Sequence, residues 1–229
     1  MFGSLKIKKQ VSDGTEFSPL LSKNNYDNVF SSVYAGNIDY YAALLKSDHV
    51  VLDVHEFYQK QSFRNRCVIA GANGPLNLIV PVQRIGGKSM MKDLKIDHSQ
   101  NWKKIHWKSL ESAYRTSPYF EYYEHEFKPI FHDNKIDFLI DLNKQIMDAI
   151  LKCLNTDLSI SNSTYYIPNN QVISDYRNQI HPKKPSVKKI SSIKYIQVFE
   201  DKIGFHPNLS MLDLLFNEGP NAIVLVKEI

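Results

Sequence analysis

The chain of 229 residues carries 28 basic and 24 acidic side chains, and its formal net charge of +4 does not require a nucleic-acid partner. A hydrophobic fraction of 43% and a charged fraction of 23% are typical of a soluble globular protein, with one large domain or a domain and an appendage. No segment approaches ~18 consecutive apolar residues, and no apolar core follows the charged N-terminus. We therefore predict neither membrane insertion nor a signal peptide, and we place the protein in the cytoplasm.

The two cysteines, Cys67 and Cys153, each lie in a predicted apolar segment. This placement favours buried, unpaired thiols and a reducing compartment. His125 is followed by Glu126, but a zinc-binding helix would place a second histidine at position 129, where the chain has Pro129. We therefore expect neither a metal site nor a cofactor.

The first predicted elements form a β-α-β unit. A strand is predicted at residues 29–34 and another at 49–54. Between them, residues 38–46 have helical spacing of apolar side chains, and Asn37 is suited to cap this helix. Two strands joined by a helix are typical of α/β folds.

The middle of the chain predicts a hairpin and a loop. Residues 67–70 and 76–82 are strand-like and flank the turn sequence Gly71-Ala72-Asn73-Gly74. The loop at 83–92 is glycine-containing and is expected to be mobile. A short strand is predicted at 94–97.

Three helices are predicted next. They start at residues 102, 119 and 136, and the second is interrupted near Pro129. The third, at 136–154, has the most continuous apolar stripe in the chain. Its members are Leu139, Leu142, Ile146, Ile150 and Leu154.

The C-terminal part is less regular. Residues 155–194 lack a long periodic segment and are predicted to form a loop that is functional or disordered. Residues 195–200 alternate like a strand. Ser210 then begins a short helix in which Asp213 occupies the capping-box position. A last strand is predicted at 223–226.

The order of these elements indicates a fold class. We predict a single α/β domain over residues 29–229, with a mixed central sheet opened by the β-α-β unit and with helices packed on the sheet. Residues 1–28 have no sustained apolar period and are predicted to form an irregular or flexible arm.

The segment from His55 to Arg66 carries long polar side chains between two apolar segments. A simple connection would use Gly, Pro, Asn, Asp or Ser, whereas binding groups are often found on loops held by rigid strands. Arg64 and Arg66, which flank Asn65, suit a phosphate or a carboxylate. The structural alternative is that one arginine faces solvent and the other forms an ion pair with Glu56 or Asp53.

Two further candidates lie on the predicted helices. His106 is either a core histidine bonded to the backbone or a general base that faces the 55–66 segment. Tyr119 belongs to an aromatic group that either stacks on a sugar or base ring or fills the core.

The segment Asp175–Lys183 places Asp, Arg, His and Lys within nine residues that have no core pattern. A flexible, solvated loop is one interpretation. In the other, the segment folds over residues 55–66, and His181 and Lys183 complete an anion site.

Four pieces of the chain carry a resemblance to a known family. They read HEFYQKQSFRNR, NGPLNLIVPV, KIHWKSLESAYRTSPYFEYY and FHPNLSMLDLLFNEGP. In this order and spacing the chain resembles the WbqC family of bacterial proteins, from about Tyr34 to Leu225. Members are found in gene clusters for O-antigen and related surface polysaccharides, and the family has no established biochemical activity. The chain departs from the pattern after its first strand, where members tend to have prolines and this sequence has Tyr34-Ala35-Gly36-Asn37.

The resemblance implies a role in surface-polysaccharide biosynthesis, and the residues add an anion site. We expect an enzyme, with a transferase favoured, that acts on a phosphate-bearing activated sugar or on an acyl or aminoacyl donor. The alternatives are a non-catalytic sugar or nucleotide-sugar binding protein and an assembly scaffold. The candidate catalytic residues are Glu56 and His106. The candidate residues for binding a small, anionic substrate are Tyr58, Gln61, Arg64, Asn65, Arg66, Tyr119, Arg177, His181 and Lys183.

Overall fold

The computed structural model describes residues 26–83, 87–132, 135–185 and 193–229. Most of the predicted N-terminal arm and the centre of the 83–92 loop lie outside these residues. The strands are β1 (Tyr26–Phe30), β2 (His49–Leu52), β3 (Arg66–Gly71), β4 (Gly74–Ile79), β5 (Ser159–Asn162) and β6 (Val172–Asp175). The helices are α1 (Ile38–Leu44), α2 (Trp102–Tyr114), α3 (Phe120–His132), α4 (Leu139–Cys153), α5 (Glu200–Ile203), α6 (Met211–Glu218) and α7 (Ala222–Lys227).

A parallel sheet of four strands lies at the centre, in the order β5-β2-β1-β6. Val29 of β1 pairs with Val51 of β2 on one side and with Asp175 of β6 on the other. Along the chain, β2 and then β5 are added on one side of β1. The last strand, β6, is added on the other side of β1. In open α/β sheets, the carboxyl ends of two strands where the direction reverses form a crevice for ligands. Here that position lies between β1 and β6.

The predicted fold class is confirmed. The opening β-α-β unit is β1-α1-β2, and the Asn37 side chain accepts a hydrogen bond from the Tyr40 N–H at the start of α1. The predicted hairpin is the antiparallel pair β3-β4, which forms a separate two-stranded sheet. The central sheet itself is therefore wholly parallel, and the antiparallel pair lies outside it.

The prediction of one long loop at 155–194 was wrong, because it contains β5 and β6. Both are strands of four residues with mostly polar, partly exposed side chains. They lie at the two edges of the sheet, so only one neighbour pairs with each. Strands this short and polar lack the apolar alternation from which a strand is predicted.

Three predicted strands were also wrong. Residues 94–97 form only isolated bridges, from Ile96 to Val82 and from Lys95 to Phe138. Residues 195–200 form no strand, and residues 223–226 lie in α7. Short apolar runs suit a buried helix as well as a strand, so periodicity alone does not separate the two.

The long helices bury the predicted stripes. The five stripe residues of the 136–154 segment are all 3% exposed or less. Helix α3 continues through Pro129, which lies in its last turn. On α2 the buried face includes Trp107 and Leu110, while Ile105 is 60% exposed.

The two faces of the central sheet differ in chemistry. Phe30, Val50 and Leu52 point into the main core. The other face holds a small apolar cluster of Val29, Val51 and Ile167, beside a polar group in which His49 contacts Ser159 and Ser161. Parallel sheets are usually covered on both faces. Because polar side chains occupy part of this face, the face can contact solvent without a covering helix among the described residues.

Candidate functional site

Polar side chains follow all four central strands at their carboxyl ends. Ser31 follows β1, Asp53 follows β2, Ser163 follows β5, and Arg177 lies two residues beyond β6. All four are buried. Because the strands are parallel, these side chains lie together at the carboxyl ends of the strands. The crevice between β1 and β6 opens at this end of the sheet.

Arg177 is the centre of this group. Its Nη1 donates to Asp53 Oδ2 at 2.6 Å and to the Ile167 carbonyl at 2.7 Å. Nε and Nη2 donate to Asp175 at 2.9 and 2.5 Å, and Nη2 also donates to Asn169 Oδ1 at 2.9 Å. A guanidinium has five N–H groups, and these contacts use all of them. These contacts assign the side chain to the fold, and the prediction that Arg177 binds substrate stays a prediction.

Arg177 favours the charged form of Asp175. Burial acts to raise the pKa of Asp175, but hydrogen bonds from Arg177 and its positive charge leave that pKa below its usual value. Asp53 is completely buried and also accepts hydrogen bonds from Ser163 Oγ, at 3.0 Å, and from the His55 N–H. Sequence reasoning missed Ser163 and Asp175 as members of this network. The one available signal was Asp53, a carboxylate inside an apolar strand segment.

Glu56 and Arg64 form a second buried pair beside this network. Arg64 Nε donates to Glu56 Oε1 at 2.9 Å, and Nη2 donates to Oε2 at 2.5 Å, which is the two-point geometry of a strong ion pair. Burial raises the pKa of Glu56, while the hydrogen bonds and charge of Arg64 act to lower it. Arg64 is 2% exposed, so the structural alternative from the sequence, an ion pair with Glu56, applies to this residue. The prediction that Arg64 binds substrate stays a prediction.

The 55–66 segment and the Asp175–Lys183 segment are in contact. Gln59 Nε2 donates to Asn178 Oδ1 at 2.7 Å, and Arg64 Nη2 donates to the Arg177 carbonyl at 3.3 Å. The second segment thus folds over the first. This arrangement was one of the two interpretations of the sequence.

A cavity of about 290 Å³, here called the edge pocket, lies where the two segments meet. Glu56, Tyr58 and Gln59 line it from one segment, and Arg177 and Asn178 line it from the other. Its remaining walls are Phe57, Lys88 and Tyr166, with Lys88 Nζ 5.7 Å from the centre of the Phe57 ring. Aromatic faces beside cations and amides are suited to a ring that carries negative charge.

Positive charge concentrates next to the edge pocket. We call Arg66, His181, Lys183 and Lys184 the cation cluster. Burial lowers the pKa of His181, and the charges of Arg64, Lys184, Lys183 and Arg66 lower it further. The charges of Arg66 and Arg64 also oppose the burial that raises the pKa of Tyr58, which lines the pocket. The cluster therefore adjoins the pocket through Tyr58.

Arg66 differs from the other two arginines of the site. Among the described residues it has no ion-pair partner, and its Nε is buried without a hydrogen bond. A buried polar group without a partner is rare in folded proteins. Arg66 is therefore the arginine of this site whose donors remain available to a ligand.

The structure separates three other candidates from the edge pocket. Gln61 is exposed, in a left-handed conformation with φ of 57°. Asn65 donates to the Val80 carbonyl at 2.8 Å, in the direction of the hairpin. Tyr119 packs against Gly219, where an added Cβ would lie 2.5 Å from the tyrosine ring. These side chains position local structure and do not line the pocket.

His106 also lies away from the edge pocket, in the core. Tyr34 Oη is 2.8 Å from its Nδ1, and the Trp102 ring packs edge-on against it. The His106 ring also bonds to the Ile79 carbonyl, so Nδ1 is the unprotonated nitrogen and Tyr34 donates to it. Burial lowers the pKa of His106 to about 4. This environment matches the other interpretation of the sequence, a core histidine, and the role of His106 as a general base stays a prediction.

The low pKa of His106 predicts a loss of stability in acid. The folded pKa of about 4 lies below the usual value of 6.5, so the unfolded chain binds a proton more readily. This contribution is complete above pH ~6.5 and declines as pH falls towards ~4, by about 3 kcal/mol in total. The free energy of unfolding of wild type and His106→Gln should be measured between these values. A slope as steep in the variant as in wild type would contradict the assignment.

Asp213 is not the helix cap that the sequence predicted. The cap is Ser210, whose hydroxyl accepts a hydrogen bond from the Leu212 N–H. Asp213 is fully buried and accepts hydrogen bonds from Tyr114, at 2.7 Å, and from Tyr195. It therefore connects α2, α6 and the segment before α5 inside the core.

The remaining chemistry of the described residues is limited. His, Cys, Asp and Glu side chains within the described ranges form no group of three that would hold a metal ion. Cys67 is buried and Cys153 partly exposed, both as free thiols, and burial raises the pKa of Cys153 to about 12. No helix in the described part of the chain is long and apolar enough to cross a membrane.

Comparison with known proteins gives two matches. The sequence model of the WbqC-like protein family matches residues 32–184, which include the edge pocket and the Asp53–Arg177 network. An uncharacterized protein of Mycobacterium tuberculosis, Rv1507c, is 27% identical over 189 residues, covering 72% of this chain and 81% of the relative. No solved structure matches.

Proposed function

Because this chain belongs to the WbqC-like protein family, we propose that it is an enzyme of bacterial surface-polysaccharide biosynthesis. Its substrate is a phosphate-bearing activated sugar or an acyl or aminoacyl donor, bound at the edge pocket. The reaction is a transfer from that donor to an acceptor.

The observation that carries this proposal is the availability of Arg66. Of the three arginines at the site, Arg64 and Arg177 are engaged by carboxylates, whereas Arg66 has no partner among the described residues. A phosphate can pair with its guanidinium, whose planar geometry allows two contacts. The location also supports the proposal, since it is the carboxyl-end crevice of a parallel sheet.

Each remaining group has a role in this proposal. Lys183 is exposed and contributes charge to the phosphate site. Tyr58 and Tyr166, both in the pocket wall, pack against the ring of the donor. His181 has a lowered pKa, so its imidazole is neutral at neutral pH and accepts a proton from the acceptor. This role replaces the one that the sequence suggested for His106.

One observation favours a non-catalytic binding protein as the second candidate. Glu56 lines the edge pocket, but both of its carboxylate oxygens accept hydrogen bonds from Arg64. The carboxylate is thus oriented by its ion pair and not towards a ligand, although burial leaves its pKa above the usual value. If His181 does not transfer a proton either, the pocket binds a sugar nucleotide without reacting. Turnover of the donor, followed by phosphorus NMR, separates the two candidates.

Replacing Arg66 by Lys tests the phosphate site. The change keeps the charge but removes the planar fork, and we expect the affinity for a phosphate-bearing ligand to fall by about 1.5–3 kcal/mol. The ligand is first selected by thermal shift from nucleotide sugars, acyl-CoA species and free nucleotides. A compound at a hundred times its dissociation constant adds about 2.7 kcal/mol of stability.

The matched control is the same substitution at Arg64. Because Arg64 makes a two-point contact with Glu56, Arg64→Lys should lower the melting temperature. Arg66→Lys should leave it nearly unchanged. Unaltered ligand affinity in Arg66→Lys, or stabilisation by none of the phosphate-bearing compounds, would refute the proposed site.

A further inference from the structure

We infer that a second cavity, here called the α4 groove, binds a neutral, polyhydroxylated small molecule such as a sugar ring. The groove has a volume of about 620 Å³, larger than the edge pocket. Nothing in the proposed function assigns it.

The α4 groove runs along one side of α4, above the edge strand β5. Its walls extend from Ile140 to Lys152 on α4, which at 1.5 Å per residue is a length of roughly 18 Å. Its floor includes Leu158, Ile160 and Asn162, alternate residues that point to the helix-bearing face of the sheet. The groove is therefore elongated and reaches the carboxyl end of the sheet at Asn162.

The lining combines an aliphatic floor with groups that bond to hydroxyls. Met147, Leu151 and Ile160 offer an apolar surface, and hydroxyls and amides surround it. The polar members are Ser32, Asn155, Thr156 and Asn162. Such a lining contacts the C–H face of a ring and satisfies its hydroxyl groups at the same time.

The charges of the α4 groove exclude an anionic ligand. Three carboxylates, from Asp141, Asp148 and Asp157, stand against two ammonium groups, from Lys144 and Lys152. Lys144 is 2.5 Å from Asp148, and Lys152 is 2.6 Å from Glu126, so both ammonium groups already have carboxylate partners. The net negative charge of the groove would repel an anion, whereas it would not repel a neutral ligand.

Hydrogen bonds of two consecutive residues, Ser31 and Ser32, connect the α4 groove to the segments that carry the edge pocket. Ser32 lines the groove, and its Oγ accepts a hydrogen bond from Asn143 Nδ2 at 3.2 Å. Ser31 points to the other face, where its hydroxyl donates to the Arg177 carbonyl at 3.2 Å. Asn143 also donates to the Arg64 carbonyl at 2.9 Å. This end of the groove is therefore linked by hydrogen bonds to the backbone of Arg64 and Arg177, beside the proposed donor site.

The test compares three sugars of the same ring size: methyl glucoside, glucosamine and glucuronate. Saturation-transfer NMR without any phosphate-bearing donor gives the dissociation constant of each for the full chain. We expect the neutral glucoside to bind in the millimolar range and more tightly than the acid, with the amine showing whether the net negative charge adds to the binding. Asn162→Trp fills the end of the groove and should weaken this binding at least about tenfold.

The matched control is Ser161→Trp, one residue earlier on the same strand. Its side chain points to the opposite face of β5, so binding should be unchanged. If Asn162→Trp does not fold, Lys144→Trp, on the wall of α4, gives the same comparison. The inference is overturned if no neutral sugar binds, if glucuronate binds more tightly than the glucoside, or if the groove variant binds like wild type. Because no phosphate is present, these outcomes do not depend on the Arg66 site.

Discussion

Replacing Arg177 by Met is expected to lower the free energy of unfolding by about 3–5 kcal/mol. The change removes every partner that the guanidinium provides and leaves Asp53, which is 0% exposed, as a buried charge without compensation. Burying an unpaired carboxylate is far more unfavourable than burying the ion pair. Urea denaturation of wild type and variant at neutral pH measures the difference.

The control for this prediction is the same substitution at Arg66. Because Arg66 has no ion-pair partner among the described residues, Arg66→Met should change stability by less than about 0.5 kcal/mol. In the Arg177→Met background, Asp53→Asn should recover part of the loss, since it removes the uncompensated charge. A loss below about 1 kcal/mol in Arg177→Met would mean that the network contributes no more than an exposed ion pair.

Replacing Ile146 by Ala is expected to lower the free energy of unfolding by about 2–5 kcal/mol. Ile146 lies in the middle of α4 and is 1% exposed, so the shorter side chain leaves a cavity in the core. The cost combines the lost burial of apolar surface with the unfilled volume. Thermal and urea unfolding of the variant give the magnitude.

The matched control is Ile105→Ala, on another long helix. Ile105 is 60% exposed, so the same change creates no cavity and should alter stability by less than about 0.5 kcal/mol. Equal losses at the two positions would contradict the burial of the α4 stripe. A loss below about 1 kcal/mol at Ile146 would show that the stripe packs loosely.

The candidate site was only partly predictable. The sequence identified the 55–66 and 175–183 segments, because long polar side chains without an apolar pattern are unusual between strands. It did not distinguish Arg64 from Arg66, which share residue type and neighbourhood. The two arginines differ because only one guanidinium reaches Glu56, and the geometry of the folded loop determines which one does.

The sequence by itself determined the elements whose signal is local. The stripe from Leu139 to Leu154, the Asn37 cap and the Gly-rich hairpin turn each act within a few residues, so their patterns are readable along the chain. Those elements fixed the α/β class and the opening β-α-β unit.

Only the tertiary structure decided the edge strands, the role of the charged residues and the position of the site. β5 and β6 are strands because β2 and β1 offer them backbone hydrogen bonds, not because their own side chains favour it. Asp53 and Arg177 are 124 residues apart, yet they are buried in contact with each other. Pairing between distant segments leaves no periodic trace in a single sequence. The sequence therefore shows which residues are charged, whereas the tertiary structure determines which of these charges remain available to a ligand.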